Sequence, residues 1–162
     1  MKARRQIELN VNDAVYAVVT NASASLLQVL RSDIALNGPK YGCGLGQCGA
    51  CMVLIDGTAA RSCVLPVPAL VGKQITTLEG LAGAEKLHPI QRAFIEKQGA
   101  QCGYCLNGMI IRTSALLKVV PAPSEHQIRE ALRYNLCRCG AHEEILASVR
   151  EAVKLLAAES RP

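Results

Sequence analysis

Residues 40–51 read Lys-Tyr-Gly-Cys-Gly-Leu-Gly-Gln-Cys-Gly-Ala-Cys and place three cysteines and four glycines within twelve positions. The cysteines are Cys43, Cys48 and Cys51, and a fourth, Cys63, follows after eleven intervening residues. A C-x4-C-x2-C run with a distant fourth cysteine has the spacing of plant-type 2Fe-2S ligation. Glycine suits such a loop, because backbone N–H groups that turn toward an anionic cluster require conformations that glycine adopts without strain.

A four-cysteine zinc site is the alternative for this first quartet. Zinc ribbons usually pair two C-x2-C knuckles, whereas three ligands within nine glycine-rich residues fit a single tetrahedral ion poorly. The first quartet therefore predicts an iron–sulfur cluster.

A second quartet follows 38 residues that contain no cysteine. It consists of two close pairs, Cys102-x2-Cys105 and Cys137-x-Cys139. Four thiolates can hold one further cluster or one zinc ion. A redox-active dithiol at Cys102 and Cys105 is a third option, but it leaves Cys137 and Cys139 unexplained. Both quartets are complete without a histidine ligand.

The hydrophobic pattern divides the chain into a strand-rich half and a helix-rich half. Alternating apolar residues predict strands at 5–11, 14–19, 52–55 and 75–78. Asp56-Gly57 predicts a hairpin whose return strand leads to Cys63, and Ser23 or Ser25 could cap a short helix. Helical spacing predicts further helices at about 88–97, 107–119, 124–134 and 143–158. The expected fold class is α+β, with an N-terminal β-grasp, plant-type ferredoxin domain (1–79) and a four-helix 2Fe-2S domain (80–162).

Composition and charge exclude several functional classes. The net charge is +5, but the basic residues are scattered, and five aromatics without tryptophan cannot form a base-stacking platform, so no nucleic-acid partner is expected. No apolar run approaches the roughly 20 residues that span a bilayer, so no direct membrane insertion is expected. The N-terminus lacks the apolar core of a signal peptide. We therefore expect a cytoplasmic protein, with membrane association through a partner left open, in which eight cysteines indicate metal or redox chemistry instead of disulfides.

Joined in this order, the two quartets give the chain a resemblance to the small iron–sulfur subunits of the molybdenum hydroxylases, the xanthine oxidase family. The resemblance runs from about residue 5 to residue 157. It rests on three motifs, namely residues 40–51, Gln101-Cys-Gly-Tyr-Cys105 with Gly108-Met109, and Asn135-Leu-Cys-Arg-Cys139.

Two departures from the common family pattern narrow the resemblance. Many members read Cys-Thr-Pro-Gly-Met where this chain has Cys105-Leu-Asn-Gly-Met109, and Cys-Arg-Cys-Thr-Gly-Tyr where this chain continues from Cys139 as Gly-Ala-His142. These variants are similar to the small subunits of bacterial N-heterocycle hydroxylases of the nicotinate dehydrogenase and isoquinoline 1-oxidoreductase type.

The resemblance implies an electron-transfer subunit of an oxidoreductase whose substrate-oxidising site lies on a partner chain, so no catalytic residue is expected here. Cys102, Cys105, Cys137 and Cys139 would hold a 2Fe-2S cluster close to molybdenum, and Cys43, Cys48, Cys51 and Cys63 a second one farther away. The implied partners are a large molybdopterin-binding subunit, carrying molybdopterin cytosine dinucleotide, and an electron acceptor that is either a c-type cytochrome or a flavin subunit. Gln101 and Cys139 match family positions that contact the pterin.

The implied reaction is hydroxylation of an N-heteroaromatic substrate such as nicotinate. The alternatives are the same subunit in an aldehyde- or purine-oxidising relative, a free-standing ferredoxin-like electron carrier, and a zinc-stabilised interaction module.

Overall fold

The computed structural model describes residues 4–83 and 86–160, so the outer ends of the two predicted domain ranges lie outside the described residues. The first part of the chain contains one helix and five strands: β1 (Arg4–Val11), β2 (Ala14–Asn21), α1 (Leu26–Ser32), β3 (Met52–Ile55), β4 (Thr58–Arg61) and β5 (Gln74–Thr76). The second part contains four helices: α2 (Pro89–Glu96), α3 (Leu106–Val119), α4 (Glu125–Leu132) and α5 (His142–Glu159). Short 3-10 turns lie at Ser62–Val64, Val67–Leu70 and Glu79–Leu81.

The five strands form one mixed sheet in the order β2-β1-β5-β3-β4. The central strand β5 is parallel to β1 and antiparallel to β3, and the two flanking pairs are antiparallel hairpins. The β3–β4 turn contains Asp56 and Gly57 with φ angles of 49° and 82°, the positive values that a tight type I′ hairpin turn requires. One face of the sheet buries the apolar side of α1, including Leu26, Val29 and Leu30. This arrangement, followed by four helices, confirms the predicted α+β fold.

The helical part has its own apolar core. Its largest buried members come from all four helices and include Ile90, Phe94, Met109, Ile128 and Ile145. A smaller cluster of Met52, Leu54 and Ile111 packs α3 against β3. The two parts therefore share an apolar contact, which places the beginning of α3 beside the beginning of β3.

Local side-chain contacts fix several element ends. The predicted strand 75–78 is two residues too long at its C-terminal end, because the Thr77 N–H bonds to Asn12 Oδ1 at 2.8 Å and leaves the sheet ladder. Ser25, the second of the two candidates, caps α1 by accepting from the Gln28 N–H. Among the described residues, no helix is long and apolar enough to cross a membrane.

Candidate metal centres

The first quartet lies at one end of the sheet. Cys43, Cys48 and Cys51 occupy the loop between α1 and β3, and Cys63 lies in the 3-10 turn that directly follows β4. The thiols lie in two pairs, Cys43 beside Cys48 and Cys51 beside Cys63. Ser62 ties the second pair together, because both its N–H and its hydroxyl donate to the Cys51 carbonyl oxygen, at 3.3 and 2.6 Å.

Backbone donors surround the outer pair. The N–H groups of Leu45, Gln47 and Cys48 point at Cys43 Sγ at 3.3, 3.3 and 3.4 Å, and the Cys43 N–H points at Cys48 Sγ at 3.3 Å. The bond from the Cys48 N–H contributes most to lowering the pKa of Cys43 to about 6, followed by those from Leu45 and Gln47. Because such donors favour the charged form of sulfur, this loop is built to hold an anionic sulfur ligand.

The glycines make this loop geometry accessible. Gly44 and Gly46 have φ angles of 68° and 69°, in the left-handed region that a side chain disfavours. These conformations turn the neighbouring N–H groups inward, as the glycine content predicts.

The inner thiol of the first quartet has the opposite electrostatic environment. Cys51 is only 2% exposed, and burial raises its pKa to about 11. A thiolate here would be disfavoured on its own, and coordination to a positive iron would offset that penalty.

The second quartet joins two segments of the helical part. Cys102 and Cys105 lie in the turn before α3, and Cys137 and Cys139 lie in the loop between α4 and α5. The thiols are again paired, Cys102 with Cys139 and Cys105 with Cys137.

The two pairs of the second quartet differ in burial. The Tyr104 N–H lowers the pKa of Cys102, whereas burial raises the pKa of Cys105 to about 12. Cys102 and Cys139 are exposed, as is the adjacent Gln101, so this pair lies at the protein surface. The second quartet thus repeats the pattern of one outer and one inner cysteine pair.

The paired arrangement fits the donor set of a two-iron cluster, which takes four cysteine thiolates in total. Among residues 4–83 and 86–160, no three Cys, His, Asp or Glu side chains form a group that could hold one metal ion. The thiols lie two by two, as they would if each of two irons took a pair.

The two quartets are direct neighbours across the contact between the sheet and the helices. The Leu136 N–H donates to the Cys48 carbonyl oxygen at 3.0 Å, which places one hydrogen bond between a cysteine of the first quartet and the residue before Cys137. On the other side, the Tyr104 hydroxyl donates to the Tyr41 carbonyl oxygen.

One residue of this contact does not stand out in the sequence. Asn107 Nδ2 donates to the carbonyl oxygens of Ala50 and Met52, both at 2.9 Å. The signal for it in the sequence is that Asn107 departs from the Cys-Thr-Pro-Gly-Met pattern of the family that the chain resembles.

Comparison with known proteins agrees with the two-part arrangement. Residues 9–82 match the model of a 2Fe-2S iron-sulfur cluster binding domain, and residues 77–150 match that of a 2Fe-2S binding domain. The chain is 57% identical over 148 residues to a nicotinate dehydrogenase subunit of Pseudomonas putida, covering 91% of this chain and 94% of that protein. It is 50% identical over 131 residues to the alpha chain of isoquinoline 1-oxidoreductase from Brevundimonas diminuta, covering 81% and 86%.

Solved structures show the same fold. Quinoline 2-oxidoreductase from Pseudomonas putida 86 superposes with a TM-score of 0.90 at 34% identity, covering 99% of this chain and 100% of the matched chain. Aldehyde oxidoreductase from Desulfovibrio gigas gives a TM-score of 0.89 at 36% identity over 96% of this chain, which spans only 18% of that longer chain. This chain therefore belongs to the small iron–sulfur subunits of the molybdenum hydroxylase (xanthine oxidase) family of oxidoreductases.

Proposed function

We propose that this chain carries electrons from the molybdenum centre of a large molybdopterin-binding subunit to an external acceptor, during hydroxylation of an N-heteroaromatic substrate such as nicotinate. The observation that carries the proposal is the pair of adjoining thiol quartets, linked by the hydrogen bond from Leu136 to Cys48. A 2Fe-2S cluster supplies one-electron redox chemistry when bound. Two of them in neighbouring sites suit the stepwise removal of the two electrons that a hydroxylation releases.

In this proposal, all eight cysteines are ligands. Cys43, Cys48, Cys51 and Cys63 hold one cluster, and Cys102, Cys105, Cys137 and Cys139 hold the other. The paired thiols and the N–H donors around Cys43 support the first set, and the repeated pairing supports the second. The proposed domain boundary lies between residues 79 and 80.

The exposed end of the second quartet is the proposed contact with the large subunit. Gln101 and Cys139 would touch the pterin of molybdopterin cytosine dinucleotide bound to that partner. The exposure of these residues supports this contact, since Gln101, Cys102 and Cys139 all lie at the surface, where a partner's cofactor can approach. In this proposal, the residues of this chain orient and shield the redox groups, and they do not touch the substrate.

The substrate class rests on the relatives. The nicotinate dehydrogenase and isoquinoline 1-oxidoreductase subunits act, by their names, on nicotinate and isoquinoline, and both molecules contain a ring nitrogen. A c-type cytochrome or a flavin subunit is the proposed acceptor, and the cytoplasm is the proposed location. An aldehyde-oxidising complex is the second candidate, because the fold is shared with aldehyde oxidoreductase.

The test uses the complex purified with its native partners. We expect about four non-haem iron and four acid-labile sulfide per copy of this chain, and two distinct EPR signals after reduction, as two 2Fe-2S clusters require. Nicotinate should bleach the visible iron–sulfur absorbance faster than isoquinoline, xanthine or benzaldehyde. Cys63→Ser should remove one EPR signal and Cys102→Ser the other.

Several outcomes would contradict the proposal. Zinc as the main metal, a single signal that integrates to one spin, or a native protein that runs alone at its monomer mass would each exclude it. Faster bleaching by benzaldehyde would favour the aldehyde-oxidising candidate.

A further inference from the structure

Asn107 is a buried polar residue at the contact between the two quartets. Its side chain is only 2% exposed, and it is the second residue of α3. Its amide nitrogen uses both hydrogens, one on the Ala50 carbonyl oxygen and one on the Met52 carbonyl oxygen, each at 2.9 Å. A single side chain therefore joins the start of α3 to the start of β3.

The two acceptors frame a proposed ligand of the first cluster. Ala50 and Met52 are the residues on either side of Cys51, and Asn107 itself follows two residues after Cys105, a proposed ligand of the second cluster. The side chain of Asn107 thus links the backbone around the buried cysteine of one quartet to the helix that begins beside the buried cysteine of the other.

The hydrogen bond from Asn107 to Ala50 is not needed merely to satisfy a buried group. The Ala50 carbonyl oxygen already accepts the Lys40 N–H at 3.0 Å. Asn107 Oδ1, in contrast, is buried with no hydrogen-bond partner among the described residues, and an unpaired buried acceptor is destabilising. Stability alone therefore gives a weak reason for asparagine here, whereas two directed bonds to the residues around Cys51 give a geometric one.

We propose that Asn107 is a positioning residue that fixes the separation of the two clusters and so sets the rate of electron transfer between them. The proposal rests on the proposed function. Electron tunnelling slows steeply as the distance between centres grows. A contact that holds Cys51 and Cys105 at a fixed separation therefore controls this step without touching either cluster.

Two variants remove the bonds in different ways. Asn107→Leu keeps the number and branching of the side-chain heavy atoms and removes both donors. Asn107→Pro also removes them, and proline is tolerated in the first helical turn, where the backbone N–H has no intrahelical acceptor. Thr113→Val is the matched control, because Thr113 is also buried in α3 but bonds only within the helix, to the Met109 carbonyl oxygen at 2.8 Å.

The measurements are made on the purified complex. Full reduction with dithionite leaves one unpaired spin on each cluster, and the magnetic splitting between the two EPR signals reports their separation. Rapid-freeze EPR after mixing with a limiting amount of reductant follows transfer between the clusters. Hydrogen–deuterium exchange of residues 41–52 reports the loop without reference to activity.

We expect both Asn107 variants to keep two EPR signals, each of one spin, while the splitting changes and exchange in the loop accelerates. Transfer between the clusters should slow severalfold, because tunnelling falls steeply as the separation of the centres grows. Thr113→Val should match the parent in all three measurements.

Parent-like splitting and transfer in both Asn107 variants would overturn the inference and leave the proposed function intact. So would equal changes in Thr113→Val, because the effect would then be general destabilisation of α3. Absence of two signals in the parent complex would instead overturn the proposed function, and the inference with it.

Discussion

Replacement of Gly108 by alanine tests how closely the two halves of the chain must approach. Gly108 follows Asn107 in α3, and a Cβ atom at this position would overlap the Gly49 carbonyl oxygen. It would also lie 2.8 Å from Asn135 Nδ2. Since one of these neighbours is backbone, it cannot move away by a side-chain rotation, and the cysteine loop must shift away from the helix.

The size of the effect follows from two opposing contributions. Forcing an extra methyl group into a packed site costs about 1–3 kcal/mol, whereas alanine is favoured over glycine within a helix by up to about 1 kcal/mol. The overlap with backbone favours the upper part of the first range, so we expect Gly108→Ala to lower the free energy of unfolding by about 1–2 kcal/mol. For a chain of this size, that corresponds to a fall in Tm of about 2–8 °C.

Thermal unfolding of the complex, followed by circular dichroism and by loss of the visible iron–sulfur absorbance, measures this effect. Gly83→Ala is the control, because the nearest neighbour of a Cβ there, the Lys86 carbonyl oxygen, lies 3.7 Å away in ordinary contact. A Tm for Gly108→Ala equal to or above that of Gly83→Ala would show that the loop and α3 are not in the close contact described here.

Three further predictions concern the helix caps and the metal. Lowering the pH from about 7.5 to about 5 should destabilise the helical part. Burial lowers the pKa of His88, whose Nδ1 accepts the Ile90 N–H at 3.2 Å in the folded chain. Protonation of His88 therefore favours the unfolded chain. The loss begins near the unfolded-state pKa of 6.5 and continues through the lower folded-state value, and His88→Asn should reduce it in urea titrations. Ser25→Ala should cost about 1 kcal/mol in thermal unfolding, because it removes the oxygen that caps α1, whereas the exposed Ser23→Ala should not. Chelation of iron under reducing conditions should lower the Tm of both halves, and iron with sulfide should restore it, since ligation contributes folding energy.

Each of these has a clear contrary result. Equal pH dependence in the parent and in His88→Asn would assign the acid sensitivity to other groups. Equal losses of stability in Ser23→Ala and Ser25→Ala would show that Ser25 does not stabilise α1 as its cap. An unchanged Tm after complete iron removal would show that both halves fold without metal.

The features that the sequence predicts well are those decided by neighbouring residues. The Gly-rich loop around Cys43, the Asp56-Gly57 turn and the serine cap of α1 depend on backbone conformations and bonds within a few positions, and the structure contains all three. The pairing of Cys137 with Cys105 follows less directly, because α3 and α4 must first bring the two segments together.

The features that the sequence does not predict depend on distant partners. Thr77 ends β5 because Asn12, 65 positions earlier, captures its N–H. Asn107 donates its two hydrogen bonds to carbonyl oxygens 57 and 55 positions away. No local pattern encodes these contacts, so the geometry between the quartets could be found only from the folded chain.

The position of β5 at the centre of the sheet also sets the order in which this half of the molecule can assemble during synthesis. The β1–β2 and β3–β4 hairpins are each local in sequence, but the strand between them, Gln74–Thr76, leaves the ribosome last. All four cysteines of the first quartet are therefore made before the strand that joins the sheet around them, and that strand must pair with β1 through contacts such as Asn10 with Gln74, 64 positions apart and slow to form. Iron delivered to a nascent chain would reach the four thiols before the sheet beside them is complete. Completion of this half therefore depends on β5, a strand of three residues.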